Sequence, residues 1–327
     1  MTPPPPPPSP TGPAEGPAEG PAEGPAEGPA EGPAGGPAGG SLVEDAWACA
    51  RAAARHAGVE VVETAAAAGA GHPSAYEDTS LLLQRVWRAD HPAEVAAPGL
   101  LRTYAHSGNY VAGAYRGGRL AGAAVGFFGR DRTGAPHLHS FVAGVEPGGL
   151  GRGVGFALKQ HQRAWSLARG VPEVHWTYDP LVRRNAYFNL AKLGGRAVRY
   201  LPEFYGAMAD GINSGDLSDR LLLVWRLDAP AAVAAARGTP VVVDVAGTAK
   251  LLDRAPDGAP VPVPDAVDVP RLLVAVPTDV EDLRPRDPAA ALAWRLAVRE
   301  AMAGRLAAGW RVEGVTRDGF YLLTKEA

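Results

Sequence analysis

Residues 145–155 read VEPGGLGRGVG and run straight into FALKQHQRAW, so five glycines stand in the eleven residues that open a helix-forming stretch. Glycine admits backbone conformations closed to other residues, and the first amides of a helix have no internal acceptor. A glycine loop at a helix start is therefore a cradle for an anion, with phosphate the first candidate. Counting excludes two common phosphate motifs. The dinucleotide fingerprint G-x-G-x-x-G needs a third glycine where Gly151 and Gly153 are followed by Phe156, and where Gly149 and Gly151 are followed by Val154. The P-loop must end in Gly-Lys-Ser/Thr, but Gly155 is followed by Phe156 and Ala157. The loop serves another ligand or is a turn, and five glycines with no packing return argue against a mere turn.

The composition narrows the classes. The 327 residues carry a net charge of -3, which gives no electrostatic case for nucleic acid or an anionic membrane as partner. A lone cysteine, Cys49, forms no internal disulfide and no cysteine metal cluster, which fits a reducing, cytoplasmic setting; no metal is expected. No apolar run of about 18 residues is present to span a membrane, and the N-terminus lacks the pattern of a secretion signal. Residues 1–40 are MTPPPPPPSPT followed by GPAE five times and GPAG twice, a four-residue period with almost no bulky apolar side chain. Such a tract cannot bury enough surface to offset the entropy of ordering it and reads as a disordered, extended spacer.

Ordered elements must position the loop. Helix formers dominate from Ser41 to Gly58; VEVVE (59–63) reads as a short strand, and YEDTSLLLQRVWRAD and the stretch after Pro98 as helices. YVAGAYR, RLAGAAVGFFG and HLHSFVAGV are successive strands, the first two joined by a GG hairpin. In the helix after the loop, Val154, Ala157, Leu158, His161, Trp165 and Ala168 share an apolar face, with Lys159, Gln162 and Arg163 opposite; Gly170 and Pro172 end it. VHWTY is a strand, RNAYFNLAKLG a helix, and RAVRYLPEFYG and DRLLLVWRL strands. This order gives an α/β class with a mixed sheet and helices on its faces over 41–228. Residues 229–327 read as a C-terminal extension with strands at VVVDV and LLVAVP, a long alanine-rich helix, and a hairpin turned by RDG.

With VEPGGLGRGVGFAL at a strand end and NAYFNLAKLG one strand later, the chain resembles the GCN5-related N-acetyltransferase (GNAT) superfamily. HLHSFVAGV, LKQHQRAWSLARGV, WTYDPL, YGAMADGINSG, SDRLLLVWRL and AWRLAVREAMAGRLAAGWRV resemble a bacterial subfamily with a C-terminal extension. The resemblance implies that the mixed sheet is mostly antiparallel, and it implies an acyl-CoA-dependent N-acyltransferase with acetyl-CoA or another acyl-CoA such as succinyl-CoA as cosubstrate. Gly151, Arg152, Gly153, Val154 and Gly155 would then wrap the pyrophosphate, and the strand ending at Val145 would lend its backbone to the pantetheine amides. Leu150 stands where the family usually has Gln or Arg. In the second motif Ala186, Lys192 and Gly194 fit. Asn185, also assigned to the cofactor, directly precedes the alanine instead of standing three residues before it, and Leu190 replaces the usual tyrosine. Tyr178 and Tyr187 are the substitutes for the acid that protonates the leaving thiolate.

Acyl transfer to an amine needs a neutral nucleophile, stabilisation of the oxyanion, and often a proton for the thiolate. Histidine titrates near neutrality, and His137, His139 and His175 fall on strands that flank the expected cleft; His139 is the catalytic candidate. Asp179, Tyr205, Asp219 and Arg220 are candidates for binding the acceptor, Arg220 because a guanidinium clamps a carboxylate in bidentate fashion. Asp179 before Pro180 also suits a turn, and Asp219 with Arg220 equally suits a structural ion pair. The acceptor would be a small amine or amino acid, attacked directly in a ternary complex because Cys49 lies far from the motif in sequence. A homodimer is allowed. The rival reading is a non-catalytic acyl-CoA-binding sensor or assembly module.

Overall fold

The computed structural model describes residues 37–149, 151–206, 216–264 and 269–325. The tail expected over 1–40 lies, up to residue 36, outside the described residues; so do Leu150 and residues 207–215 of the YGAMADGINSG segment. The first helix, α1 (Pro37–Ala57), begins ahead of the expected Ser41. It is followed by β1 (Glu60–Glu63), α2 (Thr64–Gly69), α3 (Ala75–Trp87), α4 (Pro92–Ala96) and α5 (Pro98–His106). Then come β2 (Tyr110–Arg116), β3 (Arg119–Arg130) and β4 (Pro136–Val145), the glycine loop, α6 (Val154–Ala168) and β5 (Glu173–Tyr178). A single turn α7 (Arg183–Ala186) passes into a π-helical segment (Tyr187–Lys192), then β6 (Arg196–Leu201) and β7 (Arg220–Arg226).

These strands form one sheet in the order β1-β2-β3-β4-β5-β7-β6, antiparallel except where β4 meets β5. Gly117 and Gly118, both at positive φ, turn the β2–β3 hairpin, as two left-handed residues must in a tight turn of matching twist. The first six residues of β2 are buried because both faces of the sheet are covered. Tyr110, Ala112 and Ala114 pack with Leu158 and Trp165 of α6, whereas Val111, Ala123 and Val125 pack with Leu82, Leu83 and Leu101 of α3 and α5. A run of alanines at the sheet centre lets these helices approach closely.

The remaining elements are α8 (Pro230–Ala236), β8 (Ala249–Arg254), β9 (Pro260–Pro262), β10 (Arg271–Ala275), α9 (Val280–Arg286), α10 (Pro288–Ala307), β11 (Arg311–Val315) and β12 (Phe320–Thr324). They build a second sheet, ordered β11-β12-β10-β8-β9, whose core is continuous with that of the first. The expected strand VVVDV is not one. Val241 makes a single backbone bond to the Ala191 carbonyl, Val242 is 87% exposed, and Val243 fills the space above Gly314. A β-branched run becomes a strand only beside a partner edge, and AKLLDR occupies that edge as β8, parallel to β10. Among the described residues no helix is long and apolar enough to cross a membrane.

Candidate active site at the parting of two strands

The parallel ladder between β4 and β5 has two pairs, Leu138 with Val174 and His139 with His175. Beyond it β4 continues to Val145 and β5 to Tyr178 with no further pairing between them. β4 also bulges at Phe141, where the register against β3 slips by one residue. The two strands thus separate just past His139 and His175, and the edge of β4 facing the gap leads to the glycine loop.

The loop holds Gly151 at φ +75° and Gly153, the N-cap of α6, at φ +83°, values that favour glycine. A Cβ on Gly151 would meet nothing within 4 Å, and one on Gly153 would meet only Ala57 and His56 of α1. The amides of Gly155 and Phe156 have no backbone acceptor among the described residues. Arg152 is exposed, and Val145 lies against Gly155. Free amides, a helix dipole and the nearby Arg152 guanidinium form a cradle for an anion.

The two faces of the gap differ. On the face toward α3 and α5 stand His137, His139 and Phe141 of β4 and Glu173, His175 and Thr177 of β5. His137 and His175 stack at 4.0 Å between centroids, and His175 Nε2 lies 2.9 Å from Glu173 Oε2. His139 packs at 5.1 Å on Phe127, and its pKa is pushed down to about 4 by burial and then by His137, His175 and Lys159. At neutral pH it is an uncharged imidazole and a weak base. Tyr205 bonds its hydroxyl to Thr177 Oγ1 at 2.9 Å, and the Arg220 guanidinium lies 5.4 Å from its ring centroid, so these two reach this face. Phe141 and Tyr205 are exposed there.

On the opposite face, toward α6, stand Ser140 and Trp176. Lys159 of α6 points between them, its Nζ 2.8 Å from Ser140 Oγ, 3.0 Å from Gln162 Oε1 and 3.8 Å from the Trp176 ring centroid. Burial pushes its pKa down to about 7. The sequence places Lys159, Gln162 and Arg163 on a polar, outward face, yet all three are buried. Lys159 reaches inward to Ser140 and Trp176 of the sheet and Arg163 to the Leu227 carbonyl, while Ala46, Ala50, Ala53 and Ala57 of α1 form a buried stripe against another face of α6. A serine where the inward residues of β4 are otherwise apolar was the one sequence signal for this cluster.

Several expected site residues lie elsewhere. Tyr178 is buried beneath the second sheet; its hydroxyl abuts that of Tyr321, which donates to the Pro180 carbonyl at 2.8 Å, and makes no well-aligned hydrogen bond. Burial raises its pKa well above the ordinary phenol value. Asp179 accepts from Arg284 and, at 2.8 and 2.9 Å, from Arg295, while Leu181 N–H caps the same carboxylate. Asp219 accepts from Tyr200, Arg299 and the Glu203 amide. Neither carboxylate has capacity left for an acceptor, so both expectations are corrected: they are the feet of a buried ion network. Tyr187 sits against the second sheet under Arg317, 5.6 Å from the ring centroid, and Asn185 faces solvent on α7.

The mixed, mostly antiparallel first sheet with helices on both faces agrees with the class expected from the sequence. No family model matches the chain, and no curated relative does either. Solved structures that align with it include a GNAT-family acetyltransferase from Streptococcus pneumoniae (13% identity, 51% of this chain and 97% of that one, TM-score 0.39). Others are the ribosomal-protein-S18-alanine N-acetyltransferase from Escherichia coli (15%, 52% and 94%, TM-score 0.38) and an N-acetyltransferase from Staphylococcus aureus (15%, 46% and 94%, TM-score 0.38). These alignments leave about half of the chain unaligned.

Proposed function

We propose that the protein is an acyl-CoA-dependent N-acyltransferase acting on a small amine or amino acid, with acetyl-CoA the first donor to test. The observation that carries this reading is the parting of β4 and β5 beside the glycine cradle. An anion held at the start of α6 places the rest of a long ligand along the open edge of β4, whose backbone amides suit the amides of a pantetheine arm. Its far end then arrives where the strands separate, and an amine approaching over His139, Phe141 and Tyr205 meets it through the gap. The β4 backbone offers N–H groups to a developing oxyanion, and His139, neutral at pH 7, can accept the amine proton directly or through water. Arg220 beside Tyr205 suits a carboxylate on the acceptor.

Direct attack in a ternary complex is favoured over an acyl-cysteine. The Cys49 thiol, on α1, is pushed up by burial and then by Asp45, which makes it a poor nucleophile. One observation favours the rival reading of a binding module without turnover: the tyrosine that could serve as acid, Tyr178, is sealed away.

Calorimetric titration of the full chain with acetyl-CoA, succinyl-CoA and free CoA tests the first step. Micromolar binding with a preference among acyl groups is expected, followed by CoA release when a panel of small amines is added. Binding without release for any amine would favour the sensor, and no binding at millimolar concentration would refute both.

A further inference from the structure

Hydrogen-bond donors converge on the point where β4 and β5 part, and no carboxylate among the described residues is paired with them. Lys159 Nζ donates to Ser140 Oγ and Gln162 Oε1. Ser140, acting as acceptor, has its own hydroxyl hydrogen left over, and the Gln162 Nε2 is buried without a partner. Among the described residues Lys159 has no carboxylate partner; its neighbours are these two side chains, the Trp176 ring and, across the sheet, the imidazole of His139. A lysine taken out of water is ordinarily paired with a carboxylate. An ammonium, a hydroxyl and an amide N–H₂ gathered without one form a site that lacks only a negative charge.

The reading as an acyl-CoA transferase, on which this inference rests, supplies that charge. The strand edge from Val145 back to Ser140 spans about 17 Å at the usual rise per residue, and it leads from the anion cradle to Lys159. A ligand lying along it brings its thioester to the ammonium. We propose that Lys159 is the acid that protonates the departing CoA sulfur, with Ser140 and Gln162 orienting its ammonium and donating to the same atom. In this step the acceptor nitrogen forms its bond to the acyl carbon, and the C–S bond breaks with its electron pair going to sulfur. Sulfur takes a proton from Lys159 Nζ, and the neutral lysine is recharged by the proton that the acceptor nitrogen loses, passed through water. The direction is favourable, because an alkyl thiol ordinarily titrates above 8 and the buried ammonium near 7. The role left empty by Leu190 and by the sealed Tyr178 is thereby filled from the opposite side of the gap.

The test needs no acceptor. The chain has only four lysines, Lys159, Lys192, Lys250 and Lys325, so the ε-methylene resonances of labelled protein can be followed through a pH titration. Lys159→Arg identifies the signal by its loss. With CoA bound, Lys159 is expected to titrate at least one pH unit higher than with desulfo-CoA, because a thiolate within contact favours the ammonium and the two groups titrate as a pair. In parallel, the thiolate absorbance of bound CoA should appear one to three pH units lower in the wild type than in Lys159→Met. If both ligands bind and Lys159 titrates identically with each, the inference is overturned and the acyl-CoA reading stands. If neither ligand binds, both fall. The resonance experiment uses the wild-type chain and does not depend on Lys159→Met folding.

Discussion

Arg295 of α10 is the residue whose loss should be felt furthest. It is completely buried and makes four contacts to two carboxylates: Nη1 and Nη2 to Asp179 at 2.8 and 2.9 Å, and Nη2 and Nε to Asp216 at 2.7 and 3.3 Å. Arg284 bonds the same two carboxylates, so two positive charges balance two negative ones. Arg295→Met fills a comparable volume but leaves the quartet one charge short in a buried site. Breaking a buried pair costs about 3–5 kcal/mol, and because Arg284 remains, the lower end applies. For a chain of this size about 3 kcal/mol lowers Tm by roughly 6–12 °C. The sign with pH follows from Asp179. Burial alone would raise its pKa, but Arg295 and Arg284 outweigh burial and hold it well below the ordinary value. Its contribution is therefore present above the unfolded value of about 3.9 and is lost as pH falls through the folded one. The gap between wild type and variant should narrow below about pH 4. Asp179→Asn combined with Arg295→Met restores neutrality and should recover a large part of the loss. Calorimetric melting of the wild type and the two variants decides it: a cost under about 1 kcal/mol for Arg295→Met, or no recovery in the double variant, would refute the reasoning.

Two further outcomes are expected. Gly153→Val forces a β-branched residue to φ +83° at the N-cap of α6, so stability should fall by about 1–2 kcal/mol and CoA affinity, measured calorimetrically, by more than tenfold. His161 is buried against Tyr110, 3.0 Å from its hydroxyl, and burial, then Arg169, push its pKa down to about 4. The unfolded chain then binds the proton first, so stability falls as pH drops from about 6.5 toward 4, by about 3 kcal/mol at full effect. His161→Gln should flatten that part of the stability curve, and an unchanged slope would show that other groups carry it.

The first sheet was legible in the sequence because each of its strands carries local signals: alternation in HLHSFVAGV, glycines between YVAGAYR and RLAGAAVGFFG, and a glycine and proline after the loop helix. The site was legible only in part. The glycine loop announces itself through residue type, since positive φ at Gly151 and Gly153 demands it. Lys159 does not, because its partners Ser140 and Trp176 lie on strands that only the folded sheet brings beside α6. A lysine at helical spacing opposite an apolar stripe reads as solvated, and only its reach to the sheet reverses that. Asp179 and Asp219 misled for the same reason. Their partners Arg284, Arg295 and Arg299 are 80 to 116 residues away in sequence, a separation at which no local pattern signals a pair. VVVDV failed in the other direction, its β propensity being real but its partner edge taken by AKLLDR.

The placement of the buried arginines gives the second sheet a mechanical role beside the gap. Asp179 directly follows β5, the strand that diverges from β4, while Asp216 and Asp219 precede β7, which pairs with β5 throughout its length. Arg284 from α9 and Arg295 and Arg299 from α10 therefore grip the two strand ends on one side of the opening. The other side is held differently, by apolar packing of β4 against Leu83 and Val86 of α3 and by its ladder with β3. A parting of two strands leaves backbone groups unpaired, and an open edge tends to close or to capture another strand. Ion pairs with buried, two-toothed geometry resist that closure because any sliding of β5 toward β4 would separate charges in a site with little water to replace them. Loosening these ion pairs is therefore expected to change the gap and, on the proposed acyl-CoA reading, the affinity for that ligand.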